Sequence, residues 1–345
     1  MSKAAELAAL IGGTSGSSLS NRNLIINGAM QVAQRGTSST GQGASDLFLV
    51  DRFHLNTNGN SAGRFTVTQE SDGPSGIPNS LKLACTTADT SIAASERFFI
   101  EQRLEGQDCQ RFKKGTSDAE AITVSFYVKG NAAATYVVGI YDSDNSRQIG
   151  AQFSVTTSWN RVSVTFPADT GGSALDDDNA ESLSLRFYLH AGSTYTGGTL
   201  QTAWDAAVNN EQVGGGTTSF FDSTSRTFFV TGVQLEVGEQ ATPFEHRSYA
   251  DELARCQRYY VENTVCSSQA DMDGANYMSA RGFFPVSMRA VPTISNMTIQ
   301  AQGNMNAGAT INSTQASTES VSLFSLASGA GNTFVYYNFD ASAEL

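Results

Sequence analysis

Residues 122–129, ITVSFYVK, place a large apolar residue at every second position, and this alternation constrains the fold of the chain more than any other feature. Residues 162–166 and 183–189 repeat it. Successive side chains of a β-strand point to opposite faces, so each run has one core face and one wetter face. Turn-forming pieces such as KGN, DSDNS and DTGG separate the runs, and no crossover helix fits between neighbours. The sequence therefore predicts an antiparallel, all-β sandwich of the jelly-roll kind.

The composition favours many strands and turns over long helices. Only 16% of the 345 residues are charged, and Gly, Ser, Thr, Asn and Ala are abundant. A chain of this length has room for two or three domains, each with a core. Shorter strand candidates lie at residues 64–70, 80–85, 98–104, 136–141 and 151–155.

The segment from Phe228 to Tyr260 has the pattern of a strand that runs into a short helix. Its first residues are largely apolar on both faces, which is typical of a strand inside a sheet. We expect one face to carry Phe229, Thr231, Val233 and Leu235, and the other Phe228, Val230 and Gln234. Ser248 can then cap a helix, because its hydroxyl can accept a hydrogen bond from the first turn. The helix should carry Leu253, Cys256 and Tyr260 on one side.

Residues 2–11, SKAAELAALI, are expected to form a short amphipathic helix with Leu7, Leu10 and Ile11 on one side. Because such a helix is marginal alone, its apolar side needs either another copy of the chain or a docking site on a larger assembly. A frayed terminus is the alternative. Residues 12–22, GGTSGSSLSNR, have the composition of a flexible tether.

The last part of the chain, residues 261–345, contains fewer apolar residues and more Ser, Thr, Asn, Gln, Gly and Met. A small isolated domain of this composition would bury little core, so we expect association with copies of itself to complete it. Its strand candidates lie at residues 282–286, 293–299, 321–326 and 333–340.

The charge of the chain limits its partners. A formal net charge of -12 repels phosphate backbones and anionic lipid, so we expect no nucleic-acid partner. The sequence shows no apolar run of transmembrane length and no signal-peptide pattern. These features predict synthesis in a cytoplasm and no insertion into a membrane.

The sequence predicts no catalytic residue. The chain contains three histidines, but no G-x-S-x-G turn lies between a strand and a helix, and no CxxC pair occurs among its four cysteines. We expect structural histidines and cysteines that act as small buried apolar residues. Metal binding and a Cys256–Cys266 disulfide are the alternatives for the cysteines.

Two acidic loops are candidates for Ca²⁺ binding, because carboxylate oxygens are the ligands that this cation prefers. The candidate ligands are Asp142, Asp144, Asp176 and Asp178. Ordinary solvated loop charge is the alternative, and we expect no other cofactor.

Three aromatic residues in or near loops are candidates for glycan binding, because an exposed ring can pack under a sugar ring beside planar polar groups. They are Trp204, Tyr195 and Tyr141. Trp204 could equally be a core residue of a helix-like piece, LQTAWDAAVNN.

The motifs carry two resemblances. The opening Asn23 to Gly36 (NLIINGAMQVAQRG), the segment Thr231 to Tyr260 and an ending near Ala343 to Leu345 occur here in the order found in bacteriophage tail-fibre and related virion proteins, which the chain resembles. The succession AITVSFYVKG, TYVVGIYD, TSWNRVSVTFP and SLSLRFYLH is similar to the central strands of sugar-binding jelly-roll modules. That family implies that Trp159 closes the end of the sandwich.

We therefore expect four parts: an N-terminal helix and tether for virion attachment or trimerisation (1–22), a jelly-roll sandwich (23–245), a helical connector (246–260) and a small β domain completed by oligomerisation (261–345). The tail-fibre resemblance implies a homotrimeric virion appendage that contacts other virion proteins through its N-terminus and a host-surface glycan through its β-rich domains. The alternatives are an architectural capsid-decorating or head-fibre protein without a receptor, and a polysaccharide-degrading enzyme.

Overall fold

A computed structural model describes residues 21–59, 62–274, 276–305 and 313–345. The predicted N-terminal helix, with Leu7, Leu10 and Ile11, lies outside the described residues. Within the described ranges, no helix is both long and apolar enough to cross a membrane.

Strands dominate the described chain. The strands are β1 Ser38–Gln42, β2 Leu47–Phe48, β3 His54–Asn56, β4 Arg64–Glu70, β5 Ser80–Thr87, β6 Arg97–Glu105, β7 Ile122–Gly130, β8 Ala134–Asp142, β9 Arg147–Val155, β10 Asn160–Phe166, β11 Glu181–Ala191, β12 Asp205–Ala206, β13 Thr227–Val237, β14 Tyr260–Met272, β15 Tyr277–Phe283, β16 Thr293–Gly303, β17 Ser313–Ala316, β18 Ser320–Leu326 and β19 Gly331–Ser342. The helices are α1 Gly106–Cys109, α2 Ser193–Thr196 and α3 Tyr249–Gln257, and two 3-10 turns span Gln110–Phe112 and Asn209–Glu211.

The chain divides into two compact units. The first contains Thr37–Leu49 and Phe53–Arg247 together with residues 21–31, and the second contains Ser248–Leu345 together with Val32–Gly36 and Val50–Arg52. Two short pieces within the sequence-predicted sandwich therefore belong to the second unit. Which unit a segment joins depends on contacts between residues far apart in the chain, and the local spacing of apolar residues does not show such contacts.

The first unit is the predicted all-β jelly-roll sandwich. Its six-stranded sheet has the order β1-β4-β5-β13-β7-β10, and its seven-stranded sheet has the order β12-β9-β8-β11-β6-β3-β2. Aromatic side chains join the sheets across the core: the ring centroids of Phe126 and Phe187 are 4.9 Å apart, and those of Tyr136 and Phe228 are 5.6 Å apart. The alternating run 183–189 forms β11, which is buried over most of its length.

Strand β13 is internal, as predicted, but its two faces differ from the expectation. A β-bulge interrupts its pairing with β7 between Thr231 and Gln234, at Gly232, where φ is +59°. The extra residue reverses the alternation, so Val233 and Leu235 share the core face with Val230, whereas Gln234 lies on the opposite face. The prediction that Val233 and Leu235 share a face with Phe229 and Thr231 is therefore wrong.

The second unit consists of two three-stranded sheets, ordered β14-β19-β16 and β15-β18-β17. Its core contains residues from both sheets, including Cys266, Tyr337 and Phe339 from the first and Met278 and Leu323 from the second. The segment thus has more core of its own than its composition predicts. Whether association with other copies completes it stays a prediction.

The predicted helix forms as α3, and the Ser248 hydroxyl caps it by accepting a hydrogen bond from the Asp251 N–H at 3.1 Å. Cys256 is buried on this helix, as expected. However, the helix ends at Gln257, so Tyr260 begins strand β14 and does not extend the helical face.

Candidate functional site

Loops that follow strands β6 and β10 meet in the first unit and form an open groove of about 350 Å³. The Gln110 side chain joins the two loops by donating to the carbonyl oxygens of Leu175 (3.2 Å) and Asp176 (3.1 Å). Gly115 allows their close approach, because a Cβ there would lie 2.2 Å from the Ser173 carbonyl oxygen. This loop groove is lined by Cys109, Gln110, Lys113, Lys114, Thr116, Asp118, Ala174 and Leu175.

A buried ion cluster holds these loops together. The Lys114 ammonium pairs with Asp142 and, at 2.7 Å, with Asp169. The guanidinium of Arg147 binds the Asp169 carboxylate through two hydrogen bonds of 2.9 Å each. Burial alone would raise the pKa of Asp169, but the hydrogen bonds from Arg147 and Lys114 lower it. Paired, desolvated charges of this kind fix side-chain geometry and so give the groove a rigid wall.

Trp204 lies beside this cluster and is partly exposed. Its indole N–H donates to the Pro167 carbonyl oxygen at 2.8 Å, and the Lys114 nitrogen lies 4.8 Å from the ring centroid. Trp204 precedes the short strand β12, so the expected helix-like piece does not form. Because Lys114 also lines the loop groove, the structure places Trp204 and Asp142, two residues singled out by sequence, around one ammonium group.

The four predicted Ca²⁺ ligands are not brought to one point. Asp142 is fully buried, and its carboxylate is paired with the Lys114 ammonium. The Asp144 carboxylate accepts from the Asp176 N–H at 3.0 Å, and the Asp178 carboxylate accepts from the Ala180 N–H at 2.9 Å. In the described ranges, no group of three or more His, Cys, Asp and Glu side chains is placed to hold a metal ion. Hydrogen bonds therefore hold the carboxylates of Asp144 and Asp178 within these loops, and Ca²⁺ binding there stays a prediction.

None of the three candidate glycan-binding aromatics lines the loop groove itself, and Trp204 is connected to it only through Lys114. Tyr195 is buried in a small apolar cluster with Tyr188 and Val213, and the Arg97 guanidinium carbon is 4.5 Å from its ring centroid. The expectation that it faces a sugar from a loop is corrected, because the segment that carries it folds back onto a sheet. Tyr141 is partly exposed, with the Arg186 guanidinium carbon 4.3 Å from its ring centroid.

Sequence reasoning missed a charged network on the seven-stranded sheet, centred on Glu101. This fully buried carboxylate is bonded to His54 Nδ1 at 2.9 Å, Arg103 Nη2 at 2.8 Å and Arg186 Nε at 3.1 Å. Burial acts to raise its pKa, but the hydrogen bond from the histidine and the two guanidinium charges lower it from 4.5 to about 2. The available sequence signal was a glutamate inside the apolar run RFFIEQRLE.

The cysteines and His190 are structural. Cys85, Cys109, Cys256 and Cys266 are all buried and unbridged. Burial raises the pKa of every one of these thiols, to about 11 for Cys85 and Cys266, so little reactive thiolate forms near neutral pH. His190 Nδ1 is 2.8 Å from the Ser219 hydroxyl, and burial lowers the pKa of its imidazole.

Within the first unit, Asn23 joins the opening motif to the segment around β13. Its side-chain oxygen accepts from the Leu235 N–H (3.0 Å), and its amide group donates to the Val233 carbonyl oxygen (3.1 Å). The Asn23 backbone N–H donates to Glu245 at 2.7 Å, and the Arg247 guanidinium donates to the Ile25 carbonyl oxygen at 3.0 Å. Asn23 therefore occupies a position where a single amide satisfies the backbone of two segments.

Within the second unit, Glu344 pairs with Arg35 from the opening segment and with Arg52 further along the chain; these three residues are called the C-terminal cluster below. Arg35 binds the Glu344 carboxylate at 3.1 Å, and Arg52 pairs with its other oxygen. The two guanidinium carbons lie 3.5 Å from the ring centroids of Tyr260 and Tyr259. All three segments that carry the tail-fibre resemblance thus make specific buried contacts.

Comparison with known proteins gives structural similarity only. No protein-family model matches the chain, and no curated protein matches its sequence. Similar solved structures include a Bacteroides thetaiotaomicron protein with a proposed sugar-binding function (14% identity, covering 62% of this chain and 99% of that one, TM-score 0.34). Others are the C-terminal family 22 carbohydrate-binding module of Clostridium thermocellum Xyn10B (9%, 65%, 100%, 0.32) and the family 11 module of Clostridium thermocellum Lic26A-Cel5E (12%, 59%, 98%, 0.29). At these scores the similarities carry no argument about ligands.

Proposed function

We propose that the protein is a non-catalytic glycan-binding protein and, following its resemblance to tail-fibre proteins, an appendage of a bacteriophage virion. The observation that carries the glycan-binding part is the loop groove, with the partly exposed Trp204 beside its rigid Lys114 wall. A volume of about 350 Å³ is within the usual range for small-ligand sites, about 300 to 1,000 Å³. An indole ring beside fixed polar groups suits a sugar ring.

The buried charges favour binding over catalysis. Asp169 and Glu101 each have cationic partners that lower the pKa of the carboxyl, so neither is poised as a general acid near neutral pH. The contacts of Asn23 and of the C-terminal cluster support the virion part of the proposal. Through them, each of the three segments that resemble tail-fibre proteins helps to hold the fold together.

Binding of the full chain and of Trp204→Ala to an array of bacterial-surface glycans tests the first part. Trp204→Ala should lose binding, whereas Trp159→Ala, a matched loss of the other tryptophan, should keep it. Equal binding by Trp204→Ala and the parent would remove the loop groove from the proposal. No glycan bound by the parent would leave the architectural role.

The virion part needs a separate measurement. An antibody against the chain should label an external appendage of purified phage particles in electron micrographs. Labelling of the head shell would place the protein among the capsid-decorating alternatives, and particles without label would contradict the virion assignment.

A further inference from the structure

The exposed aromatic residues of the described chain are concentrated in the second unit. Tyr249, Tyr277, Phe283 and Tyr336 are the described aromatic residues among the exposed large apolar side chains, and all four belong to that unit. Two of them lie on one strand, β15, with 62% of Tyr277 and 68% of Phe283 exposed. Apolar side chains grouped on one face, unlike scattered ones, mark a surface that binds something.

Strand β15 presents these two rings on one face of its sheet. Its residues alternate strictly between exposed and buried, so Tyr277, Ser279, Arg281 and Phe283 face outward. About 20 Å of extended strand separates the two rings. Across the sheet, Phe324 lies opposite Ser279, and Ser322 lies between Arg281 and Gln315. We call this face the β15 platform.

Arg281 lies between the two rings of the β15 platform. Its Nε and Nη2 atoms donate to the Ser320 hydroxyl at 3.2 and 3.0 Å, and its guanidinium carbon lies 5.2 Å from the Phe283 ring centroid. These contacts orient the guanidinium without neutralising it, because a hydroxyl carries no charge. In the described part of the chain, no carboxylate lies within 4.0 Å of Arg281.

Arg281 lies in a sheet whose strands carry no carboxylate. The chain has a formal net charge of -12, yet strands β15, β17 and β18 contain no acidic residue. The exposed Glu319 precedes β18, and its carboxylate accepts a hydrogen bond from the Ser287 hydroxyl. The platform therefore combines one fixed positive charge with aromatic rings, serine hydroxyls and a glutamine amide. This combination complements a ligand that is apolar on its ring faces, rich in hydroxyls and negatively charged at one point.

We propose that the β15 platform binds a carboxylate-bearing oligosaccharide. Tyr277 and Phe283 pack against pyranose faces, and Arg281 forms a charge-assisted hydrogen bond with a sugar carboxylate. The proposal adds a second contact surface to the proposed glycan-binding function and rests on that function only for the class of ligand. A second copy of this chain could also cover the rings, but it would have to supply a carboxylate to Arg281.

The test uses the full chain and a panel of uronate- and sialate-containing oligosaccharides, each with its carboxyl-reduced neutral counterpart, measured by isothermal titration calorimetry. At least one acidic oligosaccharide should bind, and its reduced form should bind about tenfold more weakly or worse. Arg281→Gln should produce a similar loss and remove the preference. Tyr277→Ala and Phe283→Ala should weaken both forms.

Two control variants locate the effect. Arg111→Gln removes an exposed charge from the first unit, and Tyr336→Ala removes an exposed ring from the other sheet of the second unit; both should bind like the parent. The proposal is overturned if no acidic oligosaccharide binds, if reduced forms bind equally, or if Arg281→Gln binds like the parent. A lower assembly mass for Tyr277→Ala and Phe283→Ala with unchanged binding would instead assign the platform to a second copy of the chain. Loss of all binding in Trp204→Ala alone would support the loop groove and overturn the β15 platform.

Discussion

Replacing Glu101 with glutamine should destabilise the sandwich by about 3 kcal/mol at neutral pH. The carboxylate is fully buried and bonded to one histidine and two arginines. Its pKa falls from 4.5 to about 2 on folding, and at about 1.4 kcal/mol per pKa unit this difference corresponds to about 3 to 4 kcal/mol, the lower end of which is the quoted magnitude. Glutamine keeps the shape of the side chain but leaves two partly buried guanidinium groups, of Arg103 and Arg186, with less compensation.

The lowered pKa of Glu101 also makes the stability of the sandwich depend on pH. Because the pKa of Glu101 is lower in the folded state, its contribution is fully present above pH 4.5 and is lost as the pH falls towards about 2. The parent should therefore lose stability across that window, and Glu101→Gln should lose about 3 kcal/mol less there.

Tryptophan fluorescence makes the measurement specific. Trp159 and Trp204 are the two tryptophans of the chain, and both lie in the first unit, so their emission during urea denaturation reports that unit. The exposed Glu239 supplies a matched control, since Glu239→Gln removes a carboxylate without burial. Equal midpoints for Glu101→Gln and the parent at pH 7, with the same loss in acid, would refute the reasoning.

Three further predictions concern other parts of the molecule. Arg52→Ala should destabilise the second unit by about 3 kcal/mol, because it leaves the Glu344 carboxylate with one arginine. The backbone amides of β14 and β19 should then exchange hydrogen faster, and unchanged protection of these amides would contradict the prediction. Trp159→Ala should cost less than half of the about 3 to 5 kcal/mol of a buried tryptophan, because Trp159 is only partly buried, and this cost includes the hydrogen bond from its N–H to Asp72 at 3.0 Å. A loss of full size in thermal melts would show a core role. The full chain should be a homotrimer by mass measurement, and a stable monomer at micromolar concentration would exclude this.

The sequence predicts the sandwich well where each strand has one buried face. Residues 183–189 form β11 because their leucines alternate and meet a core. The predicted faces of β13 were wrong after Gly232, because the bulge there reverses which side chains point to the core. Strand β14 was not predicted, because its residues are mostly polar and its pairing partner β19 is distant in the chain. A local pattern cannot show which distant strand a segment joins.

The candidate site was harder to predict from the sequence, because the roles of its residues also depend on contacts with distant parts of the chain. Asp142 has the appearance of a cation ligand until the structure brings Lys114 to it, across a large separation in the chain. Tyr195 has a loop position in the sequence, but its ring is buried in the cluster with Tyr188. Both outcomes depend on tertiary contacts, and the paired lysines KKG were the one local hint of the ion cluster.

The composition of the second unit has a consequence for genetic exchange. Because Arg35 and Arg52 precede most of the sandwich in the chain but bind Glu344, a recombination event near residue 248 would transfer the acidic partner without its arginines. The recipient chain would need to carry arginines at the corresponding places already. We expect exchange of this β domain to preserve its buried ion pairs only in recipients that carry both arginines, and the opening motif supplies only Arg35.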